Sequence, residues 1–149
     1  VILDAEAAGD YHQRLIADVV RMLMAGLIHG DLSEFNILID AHGPVIIDLP
    51  QAVNAAANLS AGMLLVRDVD RLRCCLGRFA PELLDTDYGK EMWARYASGR
   101  LRADSQLTGC FAPERVDVNL AELMGIIDAA REEEMERRER LRQDEDDEA

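Results

Sequence analysis

The segment IHGDLSEFNILID, residues 28 to 40, constrains this chain more than any other. It sets a histidine, an aspartate, a serine and an asparagine directly against a β-prone apolar run. Asp, Ser and Asn gather in loops because their side chains bond nearby backbone. The polar half therefore reads as a loop, and the apolar half as a strand leaving it.

The flanks support this. Residues 10 to 27 predict a helix with two adjacent apolar stripes, Leu15–Val19–Met22 and Ile16–Val20–Leu23–Leu27. So wide an apolar face belongs to a central, largely buried helix. Gly26 stands where glycine commonly ends one. After the loop, FNILID and PVIID are two short β-rich runs separated by AHG. Gly43 allows the turn and Pro44 suits an edge strand, which predicts a hairpin over 36–48.

A hairpin brings its ends together, so Asn36 and Asp48 should be neighbours, with Asp31 at the same mouth. An amide oxygen and a carboxylate suit Mg²⁺, which takes the rest of its shell from water and substrate phosphates. A further carboxylate can orient a hydroxyl and accept its proton. This is the H-x-D-x-x-x-x-N pattern of phosphoryl transfer, with a later Asp holding the metal. Here it spans His29 to Asn36, with Asp48 twelve residues further on. An isolated H-x-D would mean little. The ordered sequence helix, loop, strand, turn, strand, Asp is far more specific. His29 is expected to pack and hydrogen-bond so as to hold the loop.

The remainder reads as mostly helical. Leu65, Val69, Leu72, Leu76 and Phe79 form one stripe of a helix over 60–79, with Arg67, Asp68, Asp70, Arg71 and Arg73 on its other faces. Pro81 starts another helical segment, and a further helix over about 87–98 ends at Gly99. A last helix should start near Asn119, where NLAE resembles a capping box, and run to about Gln143. Its first half carries Leu120, Leu123, Met124 and Ile127. Its second half pairs Glu133–Arg137, Glu134–Arg138 and Glu136–Arg140. That end is either a partner-binding helix or a solvated one, and DEDDEA is expected to be disordered.

Charge narrows the function. Sixteen basic and 29 acidic residues give a net −13, which repels nucleic acid phosphate. Residues 131 to 149 hold ten acids against five arginines, a net −5, leaving −8 for the rest. No apolar run approaches a membrane span. The start, VILDAEAAGDYHQ, has no initiator Met and no signal-peptide pattern, and reads as a chain beginning in mid-domain. Three cysteines, Cys74, Cys75 and Cys110, form no C-x-x-C pair and read as plain buried or half-buried thiols of a reducing compartment. The histidines, 12, 29 and 42, do not cluster with them, so no zinc site is expected.

LIHGDLSEFNILI followed by VIIDLPQAV resembles the RIO family of atypical protein kinases, and more closely its bacterial branch. The likeness continues through RDVDRL, FAPEL, YGKEMW and LTGCF, over about residues 10 to 130. Aminoglycoside and choline kinases share H-G-D and the later I-D, but lack the DLPQAV continuation. The resemblance implies a mostly α (α+β) protein-kinase-like C-lobe over 1–130, with a small hairpin carrying the metal site, and a charged helix end and tail over 131–149. It implies Asp31 as the catalytic aspartate and Asn36 and Asp48 as ligands of Mg²⁺ or Mn²⁺. Ser33 joins Asn36 and Asp48 at the ATP site, shaping the loop or touching phosphate. In eukaryotic and archaeal relatives the Asp in the place of Asp48 can itself accept phosphate. Asp68 either bonds back to the loop or faces solvent.

An N-terminal lobe with a Gly-rich loop and a strand lysine is absent from these residues: no G-x-G-x-x-G occurs, and the single lysine, Lys90, lies in a helical region. The expected protein is a cytoplasmic serine/threonine kinase lobe. It would work with ATP and a protein acceptor, bind neither nucleic acid nor membrane, and pack against its N-lobe. By itself it should be nearly inactive. A small-molecule phosphotransferase and a non-catalytic binding module are the alternatives.

Overall fold

The computed structural model describes residues 3–111 and 118–148. The chain forms two compact units, Val1–Ala112 and Pro113–Ala149.

The first unit opens with helix α1, Ala5–Met24. It starts earlier than the apolar stripes suggest because Asp4 caps it, accepting from the Ala7 N–H at 2.7 Å. Ala8 and His12 extend the buried stripe towards the N-terminus, ahead of Leu15, Ile16, Val19, Val20 and Leu23. Gly26, at φ 84°, ends the helix in the left-handed region. Leu27 therefore leaves the helix and opens a two-residue strand, β1, Leu27–Ile28.

Past the loop comes the expected hairpin, β2, Ile37–Asp40, against β3, Gly43–Ile46. Ile37 pairs with Ile46 and Asp40 with Gly43. The hairpin rests on α1, where the Arg14 guanidinium donates to the His42 carbonyl and fills the space a Cβ on Gly43 would need. A second two-residue strand, β4, Val53–Asn54, pairs antiparallel with β1. Neither β1 nor β4 was anticipated, because two residues carry no periodicity.

Helix α2, Ala61–Gly77, buries Leu65, Val66, Val69, Leu72 and Leu76 against α1 and the next helix. Pro81 opens a 3₁₀ turn to Asp85, and α3 spans Tyr88–Ala97, followed by Gly99 at φ 72°. Lys90 lies on α3, as expected. The three cysteines are free thiols, but Cys74 and Cys110 are exposed and not buried. The fully buried Leu15, Leu23, Ile28, Leu32, Leu65, Leu72 and Met92 make one core.

The second unit carries α4, Val118–Glu148, which continues past Gln143 through residues expected to be disordered. Glutamate is a good helix former, and the helix is laced by Glu134–Arg138 at 3.1 Å and Glu136–Arg140 at 3.9 Å. The expected boundary at residue 130 falls inside α4. The side chains of the capping box at 119–122 and of Leu120, Leu123 and Met124 lie outside the described residues. No described helix is long and apolar enough to cross a membrane.

Candidate active site

The loop between β1 and β2 is held from both sides. Leu32 is wholly buried, an anchor of roughly 2 kcal/mol from its transfer out of water. His29 is also buried, and its Nε2 donates to the Ile47 carbonyl at 2.8 Å. Its Nδ1 accepts from the Asp31 N–H at 3.3 Å. A carbonyl can only accept, so these partners fix the Nε2–H tautomer. His29 thus ties the loop to the hairpin, as expected.

Gly30 meets a different demand. Its φ is 86°, and a Cβ there would lie 3.1 Å from the Gln51 carbonyl. Any larger residue would be strained twice over. This is the physical need behind the glycine of H-G-D.

The strongest anchor comes from α2. Asp68 is 1% exposed. Its Oδ2 accepts from the Gly30 N–H at 2.8 Å and its Oδ1 from the Leu32 N–H at 3.0 Å. Burial pushes its carboxyl upward, and the two amides, His29 and Arg67 pull the other way. Of the two readings held open for Asp68, the structure gives the bond back to the loop. Arg67 adds a guanidinium donor to the Gly30 carbonyl, and Arg71 reaches the Asp31 carboxylate at 3.2 Å.

With the backbone fixed, Asp31 is turned outward, its side chain 49% exposed. Ser33 caps the 3₁₀ turn Glu34–Asn36, its Oγ accepting from the Phe35 N–H at 3.2 Å. Asn36 is buried and gives its Nδ2 to the Asp31 carbonyl. That commits its amide nitrogen to the loop and turns Oδ1 the other way. The hairpin ladder continues one step, with the Ile47 N–H donating to the Asn36 carbonyl at 2.8 Å. Asp48 follows that partner. It is exposed and left-handed, at φ 65° and ψ 59°, the one non-glycine residue with positive φ among the described residues. Such strain persists only where surrounding structure imposes it. The structure therefore joins Asp31 to Asn36 directly and puts Asp48 one residue after Ile47, the strand partner of Asn36.

Asn36 and Asp48 could hold a hard divalent cation. Among the described residues no group of three His, Cys, Asp or Glu could hold a metal by itself. One amide and one exposed carboxylate therefore fit an ion that takes most of its shell from water and phosphate, as Mg²⁺ does.

Sequence reasoning singled out His29, Asp31, Ser33 and Asn36 of the loop but passed over Leu32, Arg67 and Arg71 as parts of the site. Arg71 lies i+4 from Arg67 and i+3 from Asp68, a spacing that could have drawn them together.

A mostly helical domain with one small hairpin and this H-G-D loop is compatible with a kinase-like fold. Residues 2–88, more than half of the chain, match the model of the RIO domain. The chain belongs to the RIO domain family. It is 50% identical over 52 residues to the RIO-type serine/threonine-protein kinase Rio2 of Methanocaldococcus jannaschii, covering 34% of this chain and 19% of that protein. It is 34% identical over 96 residues to the serine/threonine-protein kinase RIO2 of Caenorhabditis elegans, covering 64% of this chain and 17% of that protein. Rio2 of Dictyostelium discoideum is 46% identical over 56 residues, 37% of this chain and 10% of that protein. The chain thus spans less than a fifth of the length of these relatives.

Proposed function

We infer that this chain is the catalytic-loop lobe of a RIO-type serine/threonine kinase, which transfers the γ-phosphoryl of ATP to a protein hydroxyl or to itself. The observation that carries the reading is an aspartate turned to solvent by a loop whose backbone is pinned by buried Asp68 and His29. Phosphoryl transfer asks a protein mainly for positioning and charge stabilisation.

In this reading Asp31 orients the acceptor hydroxyl and accepts its proton. Asn36 Oδ1 and the Asp48 carboxylate hold Mg²⁺ (or Mn²⁺), which when bound neutralises charge on the ATP phosphates. Ser33 shapes the turn beside the phosphates. A second lobe, with the Gly-rich loop and strand lysine that residues 1–149 lack, completes the nucleotide pocket. It would cover Leu38, Ile39 and Val45 of the hairpin, which are exposed here. The same reading places the kinase in the cytoplasm, with an acidic exterior unsuited to nucleic acid.

The test uses the full-length gene product, whatever it adds to residues 1–149. Asp31→Asn should lower ATP-dependent phosphorylation by about 1,000-fold while Mg-ATP binding survives. Equal turnover by both forms would remove Asp31 from the chemistry. Transfer to a small alcohol with none to protein would move the chain to the small-molecule phosphotransferases.

A further inference from the structure

Helix α2 meets the loop with three side chains, and they do not do the same thing. Arg67 and Asp68 bind backbone: the Gly30 carbonyl, and the Gly30 and Leu32 N–H groups. They fix where the loop runs. Arg71 instead binds the side chain of Asp31, Nη1 to Oδ1 at 3.2 Å. A fixed backbone still leaves an aspartate free to turn about its side-chain torsions. Something else must choose its direction.

The pair lies at the rim of the fold, Arg71 26% and Asp31 49% exposed. An ion pair in water adds little to stability. The competing view is that this one is surface decoration. Geometry argues otherwise. Arg71 lies one helical turn from Arg67, whose guanidinium already donates to the Gly30 carbonyl, so both planar heads reach the loop from the same side of α2 and Arg71 meets one carboxylate oxygen of Asp31.

We propose that Arg71 is a positioning residue for phosphoryl transfer, holding Oδ1 of Asp31 so that Oδ2 faces the acceptor hydroxyl. The proposal rests on the kinase reading above. In the step it serves, the acceptor oxygen bonds to the γ-phosphorus and the bond to the β,γ-bridging oxygen breaks. ADP leaves with that electron pair, and the hydroxyl proton passes to Oδ2. Arg71 acts only through Asp31.

The experiment measures steady-state phosphorylation by the full-length gene product, with ATP, Mg²⁺ and dephosphorylated casein, alongside thermal melts. Arg71→Ala should lower kcat by about 100-fold, the cost of misplacing a reacting group, with KM for ATP within about twofold of wild type. Its melting temperature should not move. Arg71→Lys should recover part of the rate, since it keeps the charge but not the fork, and added methylguanidinium should partly rescue Arg71→Ala. If kcat of Arg71→Ala stays within about twofold of wild type while Asp31→Asn is inactive, the kinase reading stands and the role of Arg71 does not. A raised KM with unchanged kcat also overturns it, since Arg71 would then bind substrate. If wild type and Asp31→Asn phosphorylate equally, the kinase reading fails and the proposal falls with it.

Discussion

Two irregular segments of the first unit are held by the same device, and only one of them carries the residues proposed for catalysis. In the loop at 29–36, Asp68 of α2 receives the Gly30 and Leu32 N–H groups. In the segment at 101–111, Glu91 of α3 receives the Thr108 and Gly109 N–H groups at 2.8 and 3.1 Å and the Thr108 hydroxyl at 2.6 Å. Both carboxylates are buried. Each replaces an absent ladder of backbone bonds, because buried N–H groups must find an acceptor. The difference lies in what each segment then turns outward. The first sends out Asp31 beside Asn36. The second leaves polar residues such as Arg102, Asp104 and Gln106 exposed, none of them among the residues proposed for catalysis, and tucks in Gly109, so close under Tyr88 that a Cβ would lie 2.9 Å from the ring. A buried carboxylate gripping loop amides is thus an anchor, and function must be argued from the side chains it leaves free.

The largest test removes each anchor. Asp68→Ala and Glu91→Ala each strand two or more N–H groups, and each should cost about 3 kcal/mol in denaturant unfolding. Their kinetics should separate. At temperatures where both variants stay folded, Asp68→Ala should lose phosphorylation by the full-length protein, and Glu91→Ala should retain it. Equal losses would show that the two segments are coupled and would break the comparison.

A middle-sized effect comes from His12. It is 2% exposed, its Nε2 has no hydrogen-bond partner, and burial lowers its pKa from 6.5 to about 4. The unfolded chain therefore binds a proton that the folded chain refuses. Its contribution is whole above pH 6.5 and is lost as pH falls towards 4. At pH 5 the loss should be about 2 kcal/mol relative to pH 7. His12→Leu should flatten that dependence. The His12 ring packs against Tyr88, with ring centroids 5.3 Å apart. Acid should therefore open the Glu91 side first. Amide hydrogen exchange at Thr108 and Gly109 should quicken before exchange at Gly30 and Leu32, and the reverse order would contradict this.

Legibility in the sequence followed the same division. Stripes of Leu, Ile and Val revealed α1, α2 and the hairpin because burial imposes a period. The start of α1 was missed because Ala8 and His12 are poor markers of an apolar face, although Asp4 offered a capping signal. The H-G-D loop was readable because the phosphoryl-transfer pattern it matches sets particular residue types at fixed spacing. Its anchors were legible only in part: His29 was expected to hold the loop and Asp68 was left between loop and solvent, while the arginines were passed over. Arg67 and Arg71 sit on a charged helix face, and charge periodicity cannot tell a face turned to water from one turned to a loop. Glu91 stood inside YGKEMW with only an i,i+4 arginine, Arg95, near it in sequence, since the amides it anchors lie 17 and 18 residues away.

The smallest effect concerns a third carboxylate, Asp48, which anchors nothing by its side chain and yet occupies the left-handed region. L-residues pay about 1 kcal/mol for that conformation, and glycine and asparagine pay less. If Asp48 is kept for its oxygens, Asp48→Gly should raise stability by about 1 kcal/mol, and Asp48→Asn should leave it nearly unchanged. Both should abolish Mg²⁺-dependent phosphorylation by the full-length protein, because neither supplies a carboxylate. A stabilised, inactive Asp48→Gly would place Asp48 opposite Asp68 and Glu91: a carboxylate the fold tolerates at a cost, not one it leans on. A destabilised Asp48→Gly would mean the side chain braces the turn, and its assignment as a metal ligand would lose its physical basis.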